Sequence, residues 1–146
     1  MRNVLVAFCL STTMIILPQP ADAGTLRTKK SCLREISHAF SERRSADISN
    51  CNLAGANLRH ASLAGADLTN AQLDFSDLSF ASLAGNVFLG TDFRGAKLWF
   101  ANFRRADLTA AHLSGANFRG AIMYQANLSG LRLRGEIMSD VKLGGG

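Results

Sequence analysis

Ile48, Leu53, Leu58, Leu63, Leu68, Leu73, Leu78, Leu83, Phe88, Phe93, Leu98, Phe103, Leu108, Leu113, Phe118, Met123, Leu128, Leu133, Met138 and Leu143 stand five residues apart, twenty large apolar side chains in one unbroken register. No regular element presents that pattern to a single core. An α-helix turns about 100° per residue, so a five-residue step rotates about 140° and scatters the side chains around the cylinder. In a flat strand an odd step sends successive members to opposite faces. The register is satisfied only if the chain bends once per five residues, always toward the same axis.

A second register supports the first. Two residues before each centre the chain carries Ala46, Cys51, Ala56, Ala61, Ala66, Ala71, Ser76 and Ala81, then, after a break, Ala96 through Ala126 at every fifth position. A narrow coil holds one large and one small inward side chain per side, which explains the pairing. The slot just before the centre is mostly Asp or Asn, as at Asn52, Asn57, Asp67, Asp92, Asp107, Asn117 and Asn127. The slot that closes the unit is often glycine, suited to a corner.

Units such as Ala56-Asn57-Leu58, Ala66-Asp67-Leu68, Ala106-Asp107-Leu108 and Ala126-Asn127-Leu128 resemble the A(D/N)LXX signature of the pentapeptide repeat family. The resemblance spans residues 46–145. It implies an all-β fold, a right-handed quadrilateral β-helix with four units per coil and about five coils. Coils stacked at roughly 4.8 Å make a rod about 24 Å long, in which residues twenty apart lie one above the other. Its interior is filled by side chains, so function belongs on the outside or at the ends.

Residues 1–23 read differently. Arg2, an apolar run from Val4 to Leu17, and Ala21-Asp22-Ala23 before Gly24 form the pattern of a secretory signal peptide, and the run is short of the roughly 20 apolar residues of a membrane span. Cys9 lies in that run without the small preceding residue of a lipid-anchored signal. The expected location is outside the cytoplasm, periplasmic or secreted. Removal of residues 1–23 takes away Arg2 and Asp22 together, so the formal charge stays at +5.

Residues 24–45 form an N-terminal segment in which Leu33, Ile36 and Phe40 recur at helical spacing, with Ser31 as the expected cap. This predicts a short helix that plugs the first coil, because an open ladder edge needs cover. Export leaves two cysteines, Cys32 and Cys51, which could be separate buried thiols, an intermolecular bridge or an intramolecular disulfide. An even count in an oxidising compartment favours the last. At the other end the small slot holds Leu131, Glu136 and Val141, so the last coil is expected to be distorted or covered, and a homo-dimer through this C-terminal edge is one expectation.

The search for chemistry returns little. His38, His60 and His112 are the only histidines, and the chain has no HExxH, CxxC or phosphate-loop pattern. Asp92 and His112 fall twenty apart with Ser114 nearby, an acid, base and nucleophile in outline, but a convex exposed wall excludes no water and builds no oxyanion hole. The reading is therefore no enzyme, no cofactor and no metal. Asp74 below Arg94 is expected to be a solvated ion pair. Basic residues, Arg27, Lys29, Lys30, Arg34, Arg43 and Arg44 around the plug and Arg104, Arg105, Arg119, Arg132 and Arg134 on the walls, allow weak contact with anionic surfaces. Interleaving of acidic residues along the chain favours an ordinary solvated surface instead.

Some members of the family are gyrase inhibitors or protectors that mimic duplex DNA. That role requires an acidic rod in the cytoplasm, and a positive charge with an export signal argues against it and against a specific nucleic-acid partner. The leading reading is a non-enzymatic structural or protein-interaction module of the cell envelope or exterior. The alternative is an inhibitor or effector with one specific macromolecular target. The outward aromatics Phe75, Phe80, Trp99 and Phe100 mark the expected contact patch for an unidentified protein partner: Phe80 and Phe100 stack at one corner with His60 below Phe80, Trp99 and Lys97 lie on the adjoining wall, and Phe75 sits at that wall's other corner.

Overall fold

The computed structural model describes residues 26–131 and 134–144. Its unit is a backbone turn closed by an amide three residues beyond each centre: Ala56 N donates to Leu53 O at 2.9 Å, Ala71 N to Leu68 O at 2.9 Å and Ala121 N to Phe118 O at 2.8 Å. The segment between turns is too short for an extended strand. Each meets its neighbour twenty residues away through a single parallel bridge, and these bridges form four columns, running for example through Asp47, Asp67, Val87, Asp107 and Asn127, and through Asn57, Asp77, Lys97, Asn117 and Ile137. Four walls follow. The first is centred on Ile48, Leu68, Phe88, Leu108 and Leu128; the second on Leu53, Leu73, Phe93 and Leu113; the third on Leu58, Leu78, Leu98, Phe118 and Met138; the fourth on Leu63, Leu83, Phe103, Met123 and Leu143.

Every unit-closing residue from Asn50 to Asp140 carries positive φ, and ten of these corner residues are not glycine. Left-handed backbone is costly for bulky side chains and mild for Asn or Gly. Asn50 and Asn70 therefore fit easily, whereas Phe75, Phe80 and Phe100 do not. The Asp or Asn before each centre has a job that its abundance alone does not reveal. Its Oδ1 accepts the amide two residues on, at 3.2 Å from Ala54 to Asn52, 2.9 Å from Thr69 to Asp67, 3.0 Å from Arg94 to Asp92 and 2.9 Å from Thr109 to Asp107. This Asx turn satisfies the one amide that the ladder leaves over.

The interior is dry and filled. Leu68, Leu73, Leu78, Phe88, Phe93, Phe103 and Phe118 are fully buried. The phenylalanines cluster, with ring centroids 5.1 Å apart for Phe88 and Phe93, 5.6 Å for Phe88 and Phe103 and 5.7 Å for Phe103 and Phe118. The break in the alanine register falls in the same coil. Asn86 and Thr91 occupy the small slots there, buried and used for hydrogen bonding: Asn86 Oδ1 accepts Ala66 N at 3.0 Å and Thr91 Oγ1 donates to Leu68 O at 2.7 Å. These two bonds staple one coil to the one below it, while Asn86 Nδ2 is buried without a partner among the described residues.

The N-terminal helix α1, Lys29–Glu42, is capped by Thr28, whose side chain accepts Ser31 N, so Ser31 lies inside the helix and is not its cap. It packs Cys32 and Ala39, with Leu33 and Ile36, against the core cluster. Phe40 departs from the expected face and is 68% exposed, because Ala39 takes the inward position on that turn. Ahead of the helix, Arg27 adds one rung to the ladder: it bridges Cys51, donating its amide to Asn50 O at 2.8 Å and accepting Asn52 N at 2.9 Å. Cys32 and Cys51 form a disulfide with Cα atoms 5.9 Å apart. Arg44 clasps Glu35 and Glu42, each at 2.7 Å, and ties the helix C-terminus back on itself. The predicted 1–23 signal segment lies outside the described residues.

The last coil keeps its ladder where described, with Phe118 N donating to Ile137 O and Met123 N to Lys142 O, both at 2.8 Å. The expected distortion is thus absent from its third and fourth walls. Its inward residues are less covered than those below, and Leu143 is 55% exposed. One carboxylate oxygen of Glu136 is buried there without a hydrogen-bond partner among the described residues.

Two outcomes follow from this packing. Leu68→Asp places a charge in the dry interior and should abolish cooperative folding, while Asn70→Asp at a wet corner should leave the melting temperature nearly unchanged; equal melting temperatures would refute the register. Joint replacement of Cys32 and Cys51 by serine should cost about 3 kcal/mol, on the order of 10 °C in melting temperature. Peptide mapping without reductant should yield the linked pair, and full alkylation of both thiols in the oxidised native protein would contradict it.

Candidate interaction surface

With the interior filled, the outward side chains carry whatever the protein does. At the edge between the third and fourth walls three rings climb the rod in parallel, His60 and Phe80 with centroids 5.1 Å apart and Phe80 and Phe100 at 5.3 Å. Positive φ at all three directs the side chains along the edge. The column ends on Gly120, where an added Cβ would lie 2.4 Å from the Phe100 ring, so only glycine admits the ring at that place. Arg59 covers the Phe80 ring at 5.6 Å and is also paired with Asp77 at 3.2 Å. Trp99, 37% exposed, stands beside Phe100 on the third wall.

Phe75 does not join this column. It occupies the opposite corner of the third wall, 74% exposed and lying over Gly95. The structure brings Phe80, Trp99 and Phe100 to one edge and keeps Phe75 at the other corner of the wall, the arrangement that the period of twenty predicts.

Charge, interleaved along the chain, separates by wall once the coil is closed. The first wall carries Asp47, Asp67 and Asp107 and no basic side chain of its own. The fourth carries Arg104 and Lys142, with Arg105 at its far corner and no acidic residue, while the third mixes Arg59, Lys97 and Arg119 with Asp77, Glu136 and Asp140. Among the described residues, Lys97, Arg104, Arg105, Arg119 and Lys142 make no ion pair, whereas Arg27 and Arg44 near the plug are neutralised by Asp47, Glu35 and Glu42. The Arg104 guanidinium lies 5.1 Å over the Tyr124 ring, and Arg105 Nε donates to Gln125 at 3.0 Å. A period of twenty sorts the charges, and a reading along the chain misses it.

The acid, base and nucleophile outline on the second wall resolves differently. Arg94 pairs with Asp92 at 2.6 Å and not with Asp74, because a bidentate contact two residues away on its own wall is shorter than the reach to the next coil. Burial would push the Asp92 carboxyl up, but hydrogen bonds from the Arg94 side chain and amide outweigh it and hold it below the usual carboxylate range. Asp107 is held low by the hydroxyl and then the amide of Thr109. These carboxylates serve the turns that they sit in. Among the described residues no group of His, Cys, Asp or Glu is arranged to hold a metal, and no helix is long and apolar enough to cross a membrane.

The family model for pentapeptide repeats matches residues 44–79, 61–99, 71–109 and 101–140. The chain belongs to the pentapeptide repeat family. Members are non-enzymatic repeat proteins that fold as right-handed quadrilateral β-helices. Among solved structures, alr5209 of the cyanobacterium Nostoc is 23% identical, with 82% of this chain and 99% of that one covered and a TM-score of 0.51, a likeness of fold. HetL of Nostoc, a pentapeptide repeat protein involved in heterocyst differentiation regulation, is 29% identical over 63% of this chain with a TM-score of 0.41; the chain covers 38% of HetL. QnrB1, a plasmid-mediated fluoroquinolone resistance protein, is 19% identical over 65% of this chain and 61% of its own, with a TM-score of 0.40. No curated protein sequence matches the chain.

The lowered carboxylates set an acid dependence. A folded-state pKa below the unfolded value gives stability that is full above the usual Asp range and is lost as pH falls through it. Asp107→Asn keeps the Asx acceptor without the titration, so its melting temperature should fall less than the parent's between about pH 5 and about pH 2. An identical acid loss in thermal melts of the two proteins would show that Asp107 does not contribute.

Proposed function

We propose that this pentapeptide repeat protein is a rigid binding module of the cell envelope or exterior, and that it makes its contact through the edge of Phe80, Trp99 and Phe100. One observation carries the reading: two bulky aromatics occupy left-handed corners where glycine would sit without strain, and they remain exposed there. Strain of this kind persists where other constraints favour it, and binding sites are the usual place. Exposed aromatics beside a tryptophan are the composition of an interface anchor. The export pattern of residues 1–23 and the disulfide of the plug support a location outside the cytoplasm. A net charge of +5 disfavours gyrase-type mimicry of DNA by an inhibitor. The last coil, with Leu143 half exposed, is the face that a homo-dimer would use, and sedimentation as a strict monomer at high concentration would remove that part of the proposal.

The exported protein should begin at Gly24 by intact mass, and retention of residues 1–23 in the exported fraction would refute the location. For the contact, Trp99→Ala with Phe100→Ala should abolish capture of envelope material by the immobilised protein while the thermal melt stays close to the parent's. A large loss of melting temperature with capture retained would make the column a stiffener of the ladder and not a contact site.

A further inference from the structure

Resting on that reading, the aromatic edge can be given a partner by its shape and charge. It is a convex corner of a prism, not a groove, so a rigid protein partner would cover little of it, and hot-spot anchors normally fill pockets. Within the column the ring faces are not available either. His60, Phe80, Phe100 and Gly120 cover one another face to face along the column, which leaves ring edges outward. A single-stranded nucleic acid needs open faces on which its bases stack. A soft interface that admits an apolar ridge between charged head groups needs neither pocket nor open face.

Of the two walls that meet at this edge the fourth is basic, while the third carries both signs, with Asp77 paired to Arg59 and with Glu136 and Asp140 in its last unit. Lys97 and Arg119 stand on the third, Arg104 and Lys142 on the fourth, and none is ion-paired among the described residues. Beyond them the fourth wall has a depression lined by Ala84, Gly85, Arg104, Arg105, Tyr124 and Gln125, so two arginines stand on one opening. The first wall, with Asp47, Asp67 and Asp107, lies across the axis from the third and is repelled by the surface that attracts the fourth. We propose that the protein lies on an anionic lipid bilayer with Phe80, Phe100 and Trp99 seated at the head-group level, Lys97, Arg104 and Arg119 against lipid phosphates, and the acidic first wall turned to water. The aromatic ridge supplies the apolar burial, and the flanking cations choose anionic over neutral lipid.

Trp99 is the only tryptophan in the chain, so its fluorescence reports the edge directly. The mature protein is mixed with vesicles of phosphatidylglycerol and phosphatidylcholine, or of phosphatidylcholine alone, and binding is followed by co-sedimentation and by Trp99 emission. The expected result is binding with a blue shift on the anionic vesicles only, weakened by salt through screening. Arg104→Ala with Arg119→Ala should weaken it roughly 25-fold, at about fivefold per cation. Phe80→Gly with Phe100→Gly, in which glycine suits the positive φ and so preserves the fold, should remove both binding and shift. Absence of binding to anionic vesicles overturns the lipid assignment and leaves the edge as a protein-contact site. Binding of equal strength to neutral vesicles overturns the role of the cations. Tighter binding to an oligonucleotide than to the vesicles overturns the choice of partner. Vesicle binding undiminished in the double glycine variant overturns the inference and also removes the edge from the proposed function.

Discussion

Everything in this molecule depends on one repeated hydrogen bond, the amide of each centre donating to the carbonyl nineteen residues later. Leu53 N reaches Gln72 O at 2.7 Å, Leu73 N reaches Asp92 O at 2.8 Å and Leu98 N reaches Asn117 O at 2.8 Å. Because each rung fixes the height and rotation of the next, the register of the core, the position of the corners and the composition of the walls are one quantity. In a stack of this kind each coil contacts only its neighbours, and stability is close to a sum of coil and interface contributions. That makes the ends the weak places, and the chain treats the described N-terminal end with a helix, an added rung from Arg27 and a disulfide.

The central coil shows how far the repeat can bend without breaking. Phe88, Phe93 and Phe103 are larger than leucine, and their coil also takes Asn86 and Thr91 in place of alanine. Extra volume alone would force the walls apart. The two polar side chains instead bond to the backbone of the coil below, at Ala66 and Leu68, so the stretch of greatest volume is also held by side-chain hydrogen bonds.

The fold was legible because its signal is a period, and a period of five cannot be mistaken for a helix or a strand. Twenty repetitions of a large apolar residue, most of them two places after a small one, dictate the coil regardless of the outward residues. The details missed are those that depend on distance across the coil or on a single helical turn. Phe40 looked inward by spacing, yet Ala39 fills that place. Arg94 looked paired with Asp74, one coil below, yet Asp92 on its own wall is nearer. The separation of charge between the first wall and the fourth was present in the sequence at spacing twenty, but it is invisible to anyone reading neighbours. Of the aromatic patch, both the column of His60, Phe80 and Phe100 and the place of Phe75 at the other corner of the wall followed from the period.

The coupling of height and rotation has a consequence for how such a chain can change over evolutionary time. Adding twenty residues lengthens the rod by one storey and leaves each outward side chain on its own wall. Adding a single unit of five lengthens it by a quarter of a storey and turns everything beyond the insertion by a right angle. Placed between Phe80 and Phe100, such a duplication would leave the hydrophobic interior intact, yet carry Phe100 and Trp99 round to a different edge and set Lys97 above the wrong wall. A chain of this type can drift freely in length by whole turns, but any surface built from two storeys forbids the smaller step between them.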